Sequence, residues 1–107
     1  MKKRRVVITG LGAVTPYGVG ADILWKNVSN GISAISKLEE VNDIERHSVL
    51  IGGEIKSTTY NSLDYFDPKE AKRLDKFLQF ALIATREAMN DANCKNLSNL
   101  FASLGSK

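Results

Sequence analysis

Val6, Val7 and Ile8 are consecutive β-branched residues with no polar alternation. That pattern predicts a strand covered on both faces, as in a parallel sheet. From Ala21 to Asn30 the apolar positions Ile23, Leu24, Trp25 and Val28 predict a helix, with Asn30-Gly31 as its stop. Residues 32–47 are mixed and read as irregular, with a short helical turn around Leu38 to Val41. Val49 to Ile55 reads as a strand interrupted by Gly52-Gly53, a signal for a bulge or a close approach. Ser57 to Asp64 is a polar loop.

The clearest element runs from Pro68 to about Ala92. Asp67 suits the N-cap, Pro68 the first helical position, and Glu70 completes a start of the capping-box kind. Leu74, Phe77, Leu78, Ala81, Leu82, Thr85, Ala88 and Met89 recur at helical spacing and predict one broad buried face. Leu100 to Ser106 reads as a second buried strand ending in small residues. Lys107 follows at once, so the sheet is expected to be interrupted, with few strands and open edges.

The glycines after the first strand decide between two α/β classes. Gly10 and Gly12 can take positive φ or let another backbone come close. A dinucleotide-binding turn needs a third glycine that opens a helix under a pyrophosphate. Here that slot is Thr15, and Pro16 biases Thr15 away from the helical region. The chain is therefore expected to leave the strand through a loop that Gly18 and Gly20 extend. The acidic residue expected ~20 residues further on is also missing, because Glu39 and Glu40 come too late and follow no strand. A small nucleotide-binding domain is the weaker reading.

With 107 residues, the chain fits one small domain or part of a larger one. Its 43% hydrophobic and 25% charged content is that of an ordinary globular protein. A net charge of +3 is too small to argue for nucleic acid. No stretch approaches the ~18 apolar residues of a membrane span. Lys2-Lys3-Arg4-Arg5 precedes an apolar run, but glycines and Pro16 interrupt it and no small-residue cleavage site follows. The single cysteine, Cys94, excludes an internal disulfide and fits a reducing compartment, so a cytoplasmic location is expected.

The chemistry concentrates at the head of the long predicted helix. Lys69, Lys72, Arg73 and Lys76 lie three, four and seven residues apart, on one face. Cations in the first turns of a helix oppose its dipole by a few tenths to ~1 kcal/mol each. The cluster is thus expected to serve an external anion, an acidic protein or a phosphate; the plainer reading is a solvated face. Cys94 sits in a polar loop with Lys95 and no general base, so it reads as an incidental thiol. His47 is the one histidine and has no second metal ligand at helical or turn spacing. Asp64 and Asp67 flank Tyr65-Phe66, with Asp67 already assigned to the cap, and Trp25 reads as core or interface filler. No aromatics interleave with the basic residues as a single-strand nucleic-acid binder requires.

These stretches together resemble the N-terminal segment of bacterial β-ketoacyl-acyl-carrier-protein synthases, most closely the elongating enzymes of type II fatty acid synthesis. The resemblance rests on Arg4 to Gly12 with Thr15-Pro16 and Gly18, on Trp25-Lys26 with Gly31-Ile32-Ser33, and on Phe66-Asp67. It continues through Lys69 to Ala81, Ala88 to Ala92 and Leu104-Gly105-Ser106; residues 42–61 match only loosely. It implies the first, incomplete part of a thiolase-like layered α/β fold, in an enzyme that is usually a homodimer. It implies decarboxylative condensation of an acyl group with malonyl-carrier protein, through a cysteine thiolate and two histidines, with no nucleotide, metal or redox cofactor. It also implies that Lys69, Lys72 and Arg73 meet an acidic acyl carrier protein, with no nucleic-acid or membrane partner. The family's cysteine and histidines lie beyond position 107, and Cys94 and His47 match none of them. The isolated chain is therefore expected to lack condensing activity. A carrier-protein-binding module that stands alone, or a non-functional fragment, is the other reading to keep.

Overall fold

The computed structural model describes residues 2–94, and the predicted strand from Leu100 to Ser106 lies outside them. Strand β1 (Val14–Thr15) pairs antiparallel with β2 (Gly18–Val19), with Val14 opposite Val19 and Thr15 opposite Gly18. Helix α1 (Ala21–Ser29) follows. Strand β3 (Ile35–Lys37) pairs antiparallel with β4 (Ile51–Gly53) across a 3-10 turn at Ile44–Arg46. After a second 3-10 turn at Ser62–Asp64 come α2 (Pro68–Arg73) and α3 (Lys76–Asp91).

The organising contact lies where Gly10 to Ala13 runs along α3. A β-carbon on Gly12 would stand 1.9 Å from the Ala84 carbonyl oxygen, and one on Gly10 would stand 2.1 Å from that of Ala88. The main chain thus touches the helix backbone with no side chain between, the close approach expected of these glycines. Acidic side chains of α3 take up the donors left over. Leu11 N–H donates to Asp91 Oδ2 (3.0 Å) and Ala13 N–H to Glu87 Oε2 (2.9 Å). The spacing is geometric. Two residues of extended chain advance ~6.6 Å and four residues of helix ~6 Å, so donors two apart meet acceptors four apart. Glu87 Oε1 also accepts from Ala21 N–H (2.8 Å), where α1 begins. One carboxylate thereby ties the turn to α1, at a helix N-terminus that favours negative charge.

Helix α1 ends as its sequence requires. Gly31 takes φ +70, Gly31 N–H donates to Val28 O (3.1 Å) and Ile32 N–H to Asn27 O (3.0 Å). This pair of bonds is a Schellman motif, with glycine in the left-handed position. Trp25, however, is 71% exposed rather than core, and with Leu11, Leu24 and Val28 it lines a shallow apolar hollow.

Several expectations are corrected. Val6, Val7 and Ile8 form no strand and are exposed, because no neighbouring segment offers them a ladder among the described residues. Their β propensity needs such a surface to be realised. Among the described residues the sheets are two antiparallel pairs. Residues 38–41 make no helical turn; the turn falls at Ile44–Arg46, and Ile35–Lys37 is a strand. The glycine pair Gly52-Gly53 lies inside β4, where Gly52 meets the Leu38 side chain.

The long helix breaks at Leu74, which has φ −97 and ψ 127, and Asp75 at φ −63 and ψ 154 starts α3. The break turns Leu74 inward against the core of Tyr60, Phe66 and Ile83. It also sets the face that α3 buries: Gln79 and Ile83 are buried and Phe80, Ala84, Glu87 and Ala88 half-buried. The predicted face is not that one, since Phe77 is 67% exposed and Leu78 and Leu82 are exposed too. Periodicity counted apolar residues, whereas contact with the glycine segment selects alanines and a hydrogen-bonding carboxylate. Pro68 does open α2, but Asp67 makes no side-chain cap bond.

Gly12→Ala is expected to cost about 3 kcal/mol, the upper range for forcing a carbon into a packed contact. Urea denaturation reads this, and a midpoint equal to the parent's would contradict the backbone contact.

Candidate partner-docking site

Helix α2 is six residues long and buries none of them. It carries Lys69, Lys72 and Arg73, all exposed. Spacings of three and four keep these cations on one side of the helix. Among the described residues the one ion pair joins Lys56 Nζ to Glu39 Oε2 (3.2 Å), so no carboxylate of the described fold pairs with the α2 cations.

The helix break changes the electrostatic account of this cluster. Lys72 and Arg73 occupy the last turn of α2, where the dipole favours cations. The expected conflict with the dipole is therefore overturned for these two. Lys76 falls beyond the break, as the first residue of α3. Its charge and that of Lys56 reach the Glu40 carboxylate, though the larger influence on Glu40 is Ser57, whose hydroxyl and backbone N–H both donate to it. These donors hold the Glu40 carboxyl below the ordinary glutamate range. Lys76 thus belongs to a different helix, and the cluster carried by α2 is Lys69, Lys72 and Arg73.

What holds α2 is a polar fork that periodicity gives no sign of. Gln79 on α3 is only 4% exposed. Its Nε2 donates to Ala71 O and Leu74 O, both at 3.0 Å, which satisfies carbonyls at the end of α2. Its Oε1 accepts from the Tyr60 hydroxyl (2.5 Å). Tyr60 is itself buried, edge-on to Phe80 with ring centroids 5.0 Å apart. Burial pushes the Tyr60 phenol up, with Tyr65 adding to the effect, so it stays protonated and donating at neutral pH. Leaving such buried groups unpaired costs ~1–3 kcal/mol each. The one available clue was a polar residue inside the apolar run Phe77-Leu78-Gln79-Phe80, together with Asp75 as a second helix-start residue. Beside the fork a cleft of about 660 Å³ opens between Ser57, Asn61, Asp75 and Lys76.

The other candidates stay apart from this site. Cys94 is exposed past the end of α3, its N–H donating to Met89 O (2.9 Å). His47 ends the 3-10 turn at Ile44–Arg46. Among the described residues no three His, Cys, Asp or Glu side chains are grouped to hold a metal ion. Nor is any described helix long and apolar enough to cross a membrane. Gly10 and Gly12 are occupied by α3, and a hairpin, not a helix, follows them.

The fold and site define a mixed α and β chain that presents a short basic helix to its surroundings. Sequence comparison places that chain. Residues 3–105 match the family described as beta-ketoacyl synthase, N-terminal domain, and the chain belongs to that family. It is similar to 3-oxoacyl-[acyl-carrier-protein] synthase 2 of Staphylococcus aureus, 43% identical over 91 residues, which are 85% of this chain and 21% of that protein. The enzyme of the same name from Synechocystis sp. is 38% identical over 92 residues, again 21% of its length. The chain therefore spans about a fifth of these relatives.

Glu40→Gln is expected to weaken the fold at neutral pH and to reduce its further loss on acidification. A depressed carboxyl pKa contributes stability above the unfolded value, which is lost as pH falls through the folded one. Thermal melting from neutral pH down to about pH 3, past the ordinary glutamate value, measures this. Equal acid sensitivity in the variant and the parent would contradict it.

Proposed function

We propose that this chain is the first portion of the thiolase-like layered α/β fold of a β-ketoacyl-acyl-carrier-protein synthase of fatty acid elongation, and that its α2 docks the acyl carrier protein. The single observation that carries the docking reading is the exposed trio Lys69, Lys72 and Arg73 on a helix with no fully buried residue. Relatives whose names specify 3-oxoacyl-[acyl-carrier-protein] support the choice of partner. Acidic partners are recognised by such patches through steering and register more than through the strength of any one pair.

In the whole enzyme the reaction would move an acyl group from carrier protein to a cysteine thiolate. Malonyl-carrier protein would then lose carbon dioxide, and the carbanion equivalent would attack the thioester. In this reading the chain contributes docking to the sequence and none of the reacting groups, since Cys94 and His47 match neither the family's cysteine nor its histidines. The enzyme would work in the cytoplasm as a homodimer, without nucleotide, metal or redox cofactor.

Titration of the chain with acyl carrier protein at low and moderate salt tests the docking reading. Exposed charges are screened beyond ~8 Å at physiological ionic strength, so affinity is expected to fall as salt rises. The double reversal Lys69→Glu with Arg73→Glu is expected to weaken binding at least about tenfold, or ~1.4 kcal/mol. Unchanged affinity would leave the three cations as a solvated face. In an elongation assay the chain alone is expected to give no product above the no-enzyme control.

A further inference from the structure

The fork at Gln79 suggests a role beyond stability. Helix α2 is far below the ~12–15 residues that hold a helix in water unaided. It buries no residue, and its N-cap makes no side-chain bond. Its final carbonyl region is nonetheless gripped by Gln79 Nε2, at Ala71 O and Leu74 O. Gln79 is in turn fixed by the buried Tyr60 hydroxyl. Lys72 and Arg73 lie between the two gripped carbonyls, at Ala71 and Leu74. Their direction is therefore set from outside α2, by the Gln79 amide together with the packing of Ala71 and Leu74 on the core.

We infer that Gln79, backed by Tyr60, is a positioning residue for partner docking: it orients the α2 cations as one rigid array without touching the partner. This rests on the docking reading and deepens it. An array of fixed direction engages several acidic groups at once, and its salt dependence is correspondingly steep. Without the fork the same three cations would remain, but on a loosened turn. They would then engage fewer groups at a time, at a larger cost in ordering.

Gln79→Met keeps the volume and removes all three hydrogen bonds. Tyr60→Phe removes one bond and leaves Gln79 gripping α2. Both are titrated with acyl carrier protein over a range of salt, with circular dichroism and stoichiometry recorded. Gln79→Met is expected to weaken binding at least fivefold and to flatten the salt dependence, at unchanged stoichiometry. Tyr60→Phe should lie between it and the parent. Partial unfolding alone would instead lower the number of binding-competent molecules and leave the salt slope as in the parent, and that result would overturn the proposal. Parent-like affinity and slope in a folded Gln79→Met would overturn it as well. If Gln79→Met does not fold, Tyr60→Phe decides: a parent-like slope overturns the proposal and a flatter one supports it. Absence of binding by the parent chain is a separate result, which refutes the docking reading itself.

Discussion

Between Gly10 and Ala13 the main chain rests directly on the backbone of α3, and that contact sets the direction of nearly everything else. It requires glycine on one side and alanine on the other, since a β-carbon at Gly12 would sit 1.9 Å from the Ala84 oxygen. It also exposes backbone donors to a helix, whose own hydrogen bonds are internal. Glu87 and Asp91 supply the acceptors, and Glu87 extends the tie to the start of α1. Once this side of α3 is committed, Leu78 and Leu82 are turned away from it and stay exposed.

The same helix performs a second task near its N-terminal end. A buried amide there would be a liability if unpaired. Gln79 has three partners, and through them the end of α2 is fixed to α3 and to Tyr60. The helix break at Leu74 accompanies this arrangement, and with it comes the placement of charge. It leaves Lys72 and Arg73 at a helix end that favours cations, and it places Lys76 on the next helix, as the first residue of α3. Structure and electrostatics thus select three outward cations from the four that spacing groups together.

Local features were legible where sequence alone enforces them. Asn30-Gly31 ended α1 because only glycine takes that left-handed position cheaply, and Pro68 opened α2 for its fixed φ. The glycine approach was readable in kind, though its partner was not. Gln79 and Glu87 gave no periodic signal, because each satisfies backbone groups far away in sequence. Val6 to Ile8 misled for the opposite reason: β-branched residues state a preference, and a ladder needs a neighbour. Spacing groups four cations, and the family resemblance singles out Lys69, Lys72 and Arg73 with an acyl carrier protein as their expected partner, but nothing in the sequence showed the fork at Gln79.

The most direct measurement is a nuclear magnetic resonance titration of the nitrogen-labelled chain with acyl carrier protein. The largest shifts are expected at the backbone amides of residues 69–73, accompanied by the Gln79 side-chain amide, which the partner does not touch. Shifts concentrated around Trp25 and Val28 on α1, with α2 and Gln79 silent, would contradict it.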